Sequence, residues 1–292
     1  MFYFVQNKNR QLMKSLLISF FALITITSYA QSNFQGKAIY KSKTTMDMNF
    51  GGRQMSEDQK KRIADRMKSM LEKTYVLNFT QTESTYKEEE RLGAPGQSSG
   101  GRFRGMMSSF SGGLKYKNTK DAVVLEETEF FGKKFLISEN GKKPDWKLGA
   151  ETKKIGNYIC YKATYIKEDN AIGFSSFRRR GRNSTQGNKE KKEEKPKTIT
   201  VTAWYTPQIP VSQGPAEYWG LPGLILEVSS GRTTVLCTEI TMNPTEKVVL
   251  KAPKKGKKVS RKEYTKIVTK KMQEMREQFR GRGGRGGGRS RG

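Results

Sequence analysis

The sequence predicts a mainly β (α+β) fold: a single curved antiparallel sheet or partial barrel with two packed helices, flexible basic loops and a basic tail. Three observations predict it. Short runs with apolar residues at every second position recur along the 292 residues, separated by Gly, Pro, Asn and Ser. Two segments carry helix capping boxes followed by apolar residues at helical spacing. The two kinds of element never alternate in the βαβ order that a parallel sheet requires.

The N-terminal segment reads as a leader. Lys8, Arg10 and Lys14 precede an apolar run at 16–26, and Ser28-Tyr29-Ala30 places small residues where a signal peptidase reads. Cleavage after Ala30 is expected, with Met13 an alternative start. The run is shorter than the roughly 20 residues a bilayer crossing needs. No cysteine stands at the cleavage point to take a lipid. The mature chain is therefore expected in the periplasm or secreted, without a transmembrane segment.

The remainder, 31–279, reads as one β-rich domain. Residues 36–45 alternate Ala38 and Tyr40 with lysines, as a half-wet strand does. Ser56 and Gln59 form a capping box, after which Ile63, Met67, Met70 and Leu71 share a helical face. Tyr75, Leu77 and Phe79 mark the next strand, and 81–90 can pair back on it. After a Gly/Ser/Arg segment at 92–113, strands are expected at 114–118, 122–128 and 130–138, the last ending in a hairpin turn at Asn140-Gly141. Residues 153–166 continue the pattern, and 167–197 form a second polar insertion. Ser229-Ser230-Gly231 turns the chain into a strand at 232–242. Ser260 and Glu263 form a second capping box, followed by Tyr264, Ile267, Val268, Met272, Met275 and Phe279 on one face. The Arg/Gly-rich tail, 280–292, has nothing to bury and is expected to be disordered.

Between the last two segments lies the stretch the chain is organised around, 198–228. Pro222 and Gly223 suit the central positions of a type II turn. Leu224-Ile225-Leu226 then reads as a strand buried on both faces. This stretch has two readings. One is a rigid crossing that locks the sheet. The other is a recognition surface made by Trp204, Tyr205, Tyr218, Trp219, Leu221 and Pro222, whose aromatic side chains offer contact area at low entropic cost. Glu217 and Glu227, nearby, suit solvation or pairing with lysine better than catalysis.

Composition narrows the chemistry. The chain contains no histidine, the usual general base near neutral pH and the commonest metal ligand, which weakens most hydrolase readings. Cys160 and Cys237 allow no C-x-x-C motif. In an exported chain they read either as one disulfide closing a long loop, worth about 4 kcal/mol, or as two buried thiols packed as small apolar groups. The pairs Met46/Met48, Met67/Met70, Met106/Met107 and Met272/Met275 offer thioethers for Cu(I). Two of the pairs fall on apolar helical faces, where packing is the better account. No metal or cofactor is expected. Net charge is +28, and 251–292 alone carry 16 basic against 3 acidic residues, a surplus of 13. Such a surplus favours an anionic partner. The contacts would come from Arg280, Arg282, Arg285, Arg289 and Arg291.

Several landmarks stand together in order: Trp146, residues 154–164 (KIGNYICYKAT), Ala203-Trp204-Tyr205-Thr206, Ile209-Pro210, Gly214-Pro215 and the string Gly220-Leu221-Pro222-Gly223-Leu224-Ile225. In these the chain resembles the GLPGLI family of exported Gram-negative envelope proteins, over most of 31–279. The segments 92–113, 167–197 and 280–292 are additions to that pattern. The resemblance implies an exported, mainly β protein, sometimes associated with TonB-dependent outer-membrane receptors. It brings no established activity and no catalytic residue.

The function these readings favour is a non-enzymatic binding or interaction protein of the envelope. Its expected partner is an envelope protein, a TonB-dependent receptor among the candidates, or an anionic envelope surface. One alternative is a lipid or small-ligand carrier with an apolar cavity in the curved sheet; another is a polyanion-binding protein acting through the tail. Export argues against nucleic acid as the physiological partner. An envelope enzyme working through Glu or Tyr lacks a recognisable triad, dyad or metal set.

Overall fold

The computed structural model describes residues 34–45, 56–89, 113–168, 198–246, 248 and 250–283. The leader at 1–30, most of the segments 92–113 and 167–197, and residues 284–292, with Arg285, Arg289 and Arg291, lie outside the described residues. Met46, Met48, Met106 and Met107 lie outside them too.

The chain is mainly β, as expected. Twelve strands form one curved sheet: β1 (Gln35–Thr44), β2 (Glu72–Thr80), β3 (Glu83–Glu88), β4 (Leu114–Asn118), β5 (Val123–Phe130), β6 (Lys133–Asn140), β7 (Lys147–Ile155), β8 (Tyr158–Glu168), β9 (Thr198–Thr206), β10 (Leu224–Ser230), β11 (Thr233–Met242) and β12 (Lys257–Val259). Their order is β12-β6-β5-β4-β3-β2-β1-β11-β10-β9-β8-β7. Every pairing is antiparallel except the short parallel one between β12 and β6. Two meanders, β1 to β6 and β7 to β11, thus meet where β1 pairs with β11.

This order forces the sheet to curl. β6 and β7 stand ten places apart, which in a flat sheet is about 48 Å. Residues 141–146 join them, and an extended chain from Asn140 to Lys147 reaches at most about 25 Å. Irregular pairing at Ile39/Tyr40, Ile225/Glu227 and Leu148/Thr152 adds local bends.

Two helices accompany the sheet. In α1 (Glu57–Leu71), Ser56 Oγ accepts from the Gln59 amide at 3.3 Å, the cap expected from sequence. In α2 (Arg261–Gly283) the Ser260/Glu263 box is reciprocal: the Glu263 amide donates to Ser260 Oγ at 3.2 Å, and the Ser260 amide donates to Glu263 Oε2 at 2.8 Å. Tyr264, Ile267, Val268 and Met272 pack on Phe130, Phe135, Ile137 and Val259, so Met272 belongs to a core. The backbone of α2 runs past residue 280 to Gly283, taking in Arg280 and Arg282. Among the described residues no helix is long and apolar enough to cross a membrane.

Two turns differ from expectation. The run 130–138 is interrupted: Phe131 and Gly132, at φ 50° and 72°, turn β5 into β6. The Asn140-Gly141 pair makes no hairpin. Gly141 is needed for close approach instead, because its amide donates to the Ala122 carbonyl at 2.6 Å and a Cβ would stand 2.9 Å from that oxygen.

Candidate functional site

The connection between β9 and β10, residues 207–223, is an exposed loop by composition and a core element in fact. Its two arms pair with each other. The Leu224 amide donates to Ile209 O at 3.0 Å, Ile225 to Gln213 O at 3.0 Å and Gly220 to Ser212 O at 3.1 Å. These amides are thus satisfied by the crossing's own carbonyls, as burial requires. Ile209 and Val211 join one apolar cluster with Tyr40, Leu77, Phe79 and Leu224. Tyr218 and Leu221 join a second with Val201, Tyr205 and Ile225.

The turn at Pro222 is tighter than expected. The Gly223 amide donates to Leu221 O at 2.8 Å, a three-residue γ-turn centred on Pro222, in place of the type II β-turn. Gly223 is held at φ 155°, and a Cβ there would stand 2.1 Å from the Thr206 carbonyl oxygen. Gly220, at φ 90°, lies beneath the aliphatic stem of Lys143. Trp146 Nε1 donates to Trp219 O at 2.8 Å, so the β6–β7 connection clasps the crossing from outside.

The tip of the crossing reaches the opposite meander. Ser84 Oγ on β3 donates to Gln213 Oε1 at 2.7 Å, and Gln213 Nε2 is buried without a partner among the described residues. Lys117 on β4 is 1% exposed, and its Nζ donates to Gly214 O at 2.5 Å and Tyr218 O at 3.2 Å. Burial, with Lys115 alongside, lowers its pKa to about 7, against the opposing pull of Glu217. Glu217 Oε1 accepts from Lys167 at 2.6 Å and its Oε2 from Lys115 at 3.4 Å. Desolvation opposes the Glu217 charge, but the two lysines outweigh it and hold the carboxyl well below the usual carboxylate range. Lys115 also reaches Glu126 at 3.6 Å, and Arg261 of α2 bonds Glu126 at 2.6 Å and Glu139 at 3.6 Å.

These groups form a connected ion network in which each carboxylate faces two cations or a cation shared with another carboxylate. It ties β4, β5, β6, β8, α2 and the crossing together. The arrangement satisfies charge; it presents no carboxylate beside a free nucleophile. Glu227, the other carboxylate singled out, is paired with Lys153 at 2.7 Å, whose Nζ also lies 4.7 Å from the centroid of the Trp204 ring.

The residues proposed as a recognition surface are therefore largely interior. Tyr205, Tyr218, Trp219 and Leu221 are buried, Trp204 is half-buried, and Pro222 alone is exposed. They face inward because the crossing that carries most of them fills the curl of the sheet. Ile209, Val211, Tyr218 and Leu221 pack there against apolar side chains of the strands. Cys160 and Cys237 are both free and buried, and they lie in the first apolar cluster. Burial raises their pKa values to about 11 and about 12.

Sequence reasoning passed over Lys115, Lys117, Lys167, Ser84 and Gln213. Lys115 and Lys117 alternate within β4 as lysines on a wet face do. The segment that covers that face is remote in sequence, and nothing in 114–118 announces it.

Residues 146–227 match the model of a family described as a protein of unknown function, Porph_ging. No curated protein matches the chain significantly. Two solved structures of PNGF-II, in C2 and P21 space groups, are similar at TM-scores of 0.44 and 0.43, with 15% and 16% identity. Each likeness covers 81% of this chain and 33% or 34% of the other, so the chain spans about a third of their length. Likenesses of that size speak neither for a shared fold nor for a shared activity.

Proposed function

We propose that the chain is an exported, non-enzymatic interaction protein of the cell envelope, of GLPGLI type, whose filled sheet is a rigid scaffold for contacts made on its outside. The observation that carries this reading is the burial of Ile209, Val211, Gln213 and Tyr218 to Leu221 in the crossing, beside the ion network at Glu217. The most distinctive sequence in the chain, Gly220 to Ile225, is engaged within the fold: the amides of Gly220, Leu224 and Ile225 donate to Ser212, Ile209 and Gln213, and Ile225 O accepts from the Tyr40 hydroxyl at 2.7 Å. What remains for function is the exterior. The family match over 146–227, which takes in this string, carries no activity, and a TonB-dependent receptor stands as the envelope partner that the GLPGLI resemblance suggests.

Crosslinking in intact cells followed by purification tests it. The expected result is a complex of fixed ratio with an outer-membrane receptor, retained by Lys117→Met and by Glu217→Gln in proportion to their folded fraction. A chain that crosslinks to no envelope protein would overturn the reading. So would a catalytic turnover abolished by either substitution while the fold stays intact.

A further inference from the structure

One corner of the molecule concentrates features that the crossing does not use. At the β5–β6 turn, Phe131 is a non-glycine residue at φ 50° and is 41% exposed. It meets Phe130 edge-on, at 4.7 Å between ring centroids. A large aromatic at positive φ is conformationally costly where Asn or Gly is usual, and exposing it returns nothing to the fold.

Lysines surround that tip. Lys133 and Lys134 follow it and are exposed, and β12 runs parallel to β6 with Lys257 opposite Phe135. The residues just before β12 therefore lie toward the tip: Gly256 is packed so closely that a Cβ would stand 2.9 Å from the Lys134 carbonyl carbon. Lys254 and Lys255, both exposed, precede it. Tyr264 of α2 meets the rings of Phe130 and Phe135 at 6.3 and 5.4 Å, which brings the helix over the same corner. Between β12 and α2 an open hollow of about 320 Å³ is lined by Lys257, Lys258, Val259, Glu263, Lys266 and Ile267. Residues 251–271 contain ten basic side chains and one acidic, Glu263, which is occupied in the helix cap. Glu129, opposite Lys134, is the acidic residue of the turn.

We propose that this corner docks on an anionic lipid surface, with Phe131 entering the headgroup boundary and the lysines of the β5–β6 turn, β12 and α2 facing the headgroup phosphates. Charge complementarity selects an anionic partner. Phe131 selects lipid over a base-free polyanion such as polyphosphate, because polyphosphate offers an aromatic ring no apolar environment, whereas a bilayer interface does. The surface is separate from the crossing and does not depend on a receptor partner.

The test uses the full chain and sedimentation with vesicles of phosphatidylcholine, with and without phosphatidylglycerol. Wild type is expected to bind the phosphatidylglycerol vesicles and to release as salt rises. Phe131→Gly, which suits the positive φ, is expected to weaken binding about tenfold with the salt slope unchanged. Lys257→Gln with Lys258→Gln is expected to weaken it about fivefold per lysine and to flatten the slope. Both variants keep the Arg/Gly-rich tail, so a loss in either belongs to the corner. Phe131→Asn serves as a second variant of the turn. Equal binding by wild type, Phe131→Gly and Phe131→Asn would overturn the proposal. So would a polyphosphate affinity as high as that for vesicles and indifferent to Phe131.

Discussion

Lys115 on β4 and Lys167 on β8 hold the two oxygens of a single carboxylate, that of Glu217, at 3.4 and 2.6 Å. Those strands stand seven places apart in the sheet, about 34 Å if it were flat. Glu217 therefore records how far the sheet has curled, and it staples the curl shut across the crossing.

Glu217→Gln is expected to destabilise the protein by about 2 kcal/mol, between the values for an exposed and a buried pair because its side chain is 42% accessible. The carboxyl is held below its ordinary range. Its contribution is thus present above that range and lost as pH falls through it. Urea midpoints against pH should show an acid limb in wild type that is shallower in the variant.

Lys117 gives a slope of the same sign, in a higher pH window. Its pKa is about 7 in the folded chain, against an ordinary 10.5. Between those values the unfolded chain binds a proton that the folded chain does not, so stability rises with pH across that window. Lys117→Met should remove the rise between about pH 7 and 9.5, below the range where tyrosines titrate. An unchanged slope in the variant would mean that Lys117 is charged in the fold.

Gly223 and Gly156 separate crowding from backbone strain. Gly156, at φ 57°, has open space around it, so Gly156→Ala should cost about 1 kcal/mol. Gly223→Ala drives a methyl group onto the Thr206 carbonyl and should cost about 3 kcal/mol or more. Equilibrium denaturation of the two variants gives both numbers.

How much of this was legible in sequence follows from the range of the forces. The N-cap at Ser56, the capping box at Ser260, the double burial of Leu224-Ile225-Leu226 and the turn after Ser230 are local, and all are found. The turn at Phe131-Gly132 was hidden because Phe is a strand residue by preference and its positive φ is imposed by the hairpin. The aromatics of 204–219 carry the composition of a binding surface and of a core alike. Only the curl, set by pairing between β1 and β11 and by the short β6–β7 connection, decides that most of them face inward. For the same reason Lys117 reads as a solvated lysine until Gly214 and Tyr218 are seen above it.

The central claim is that residues 207–223 are core rather than a loop over a site, and amide hydrogen exchange tests it most directly. The amides of Gly220, Leu224 and Ile225 donate within the crossing. They are expected to exchange as slowly as those of β1 and β2, through global unfolding alone. Exchange at these amides many times faster than in β1 and β2, while the strands stay protected, would show a segment that opens on its own and would contradict the account.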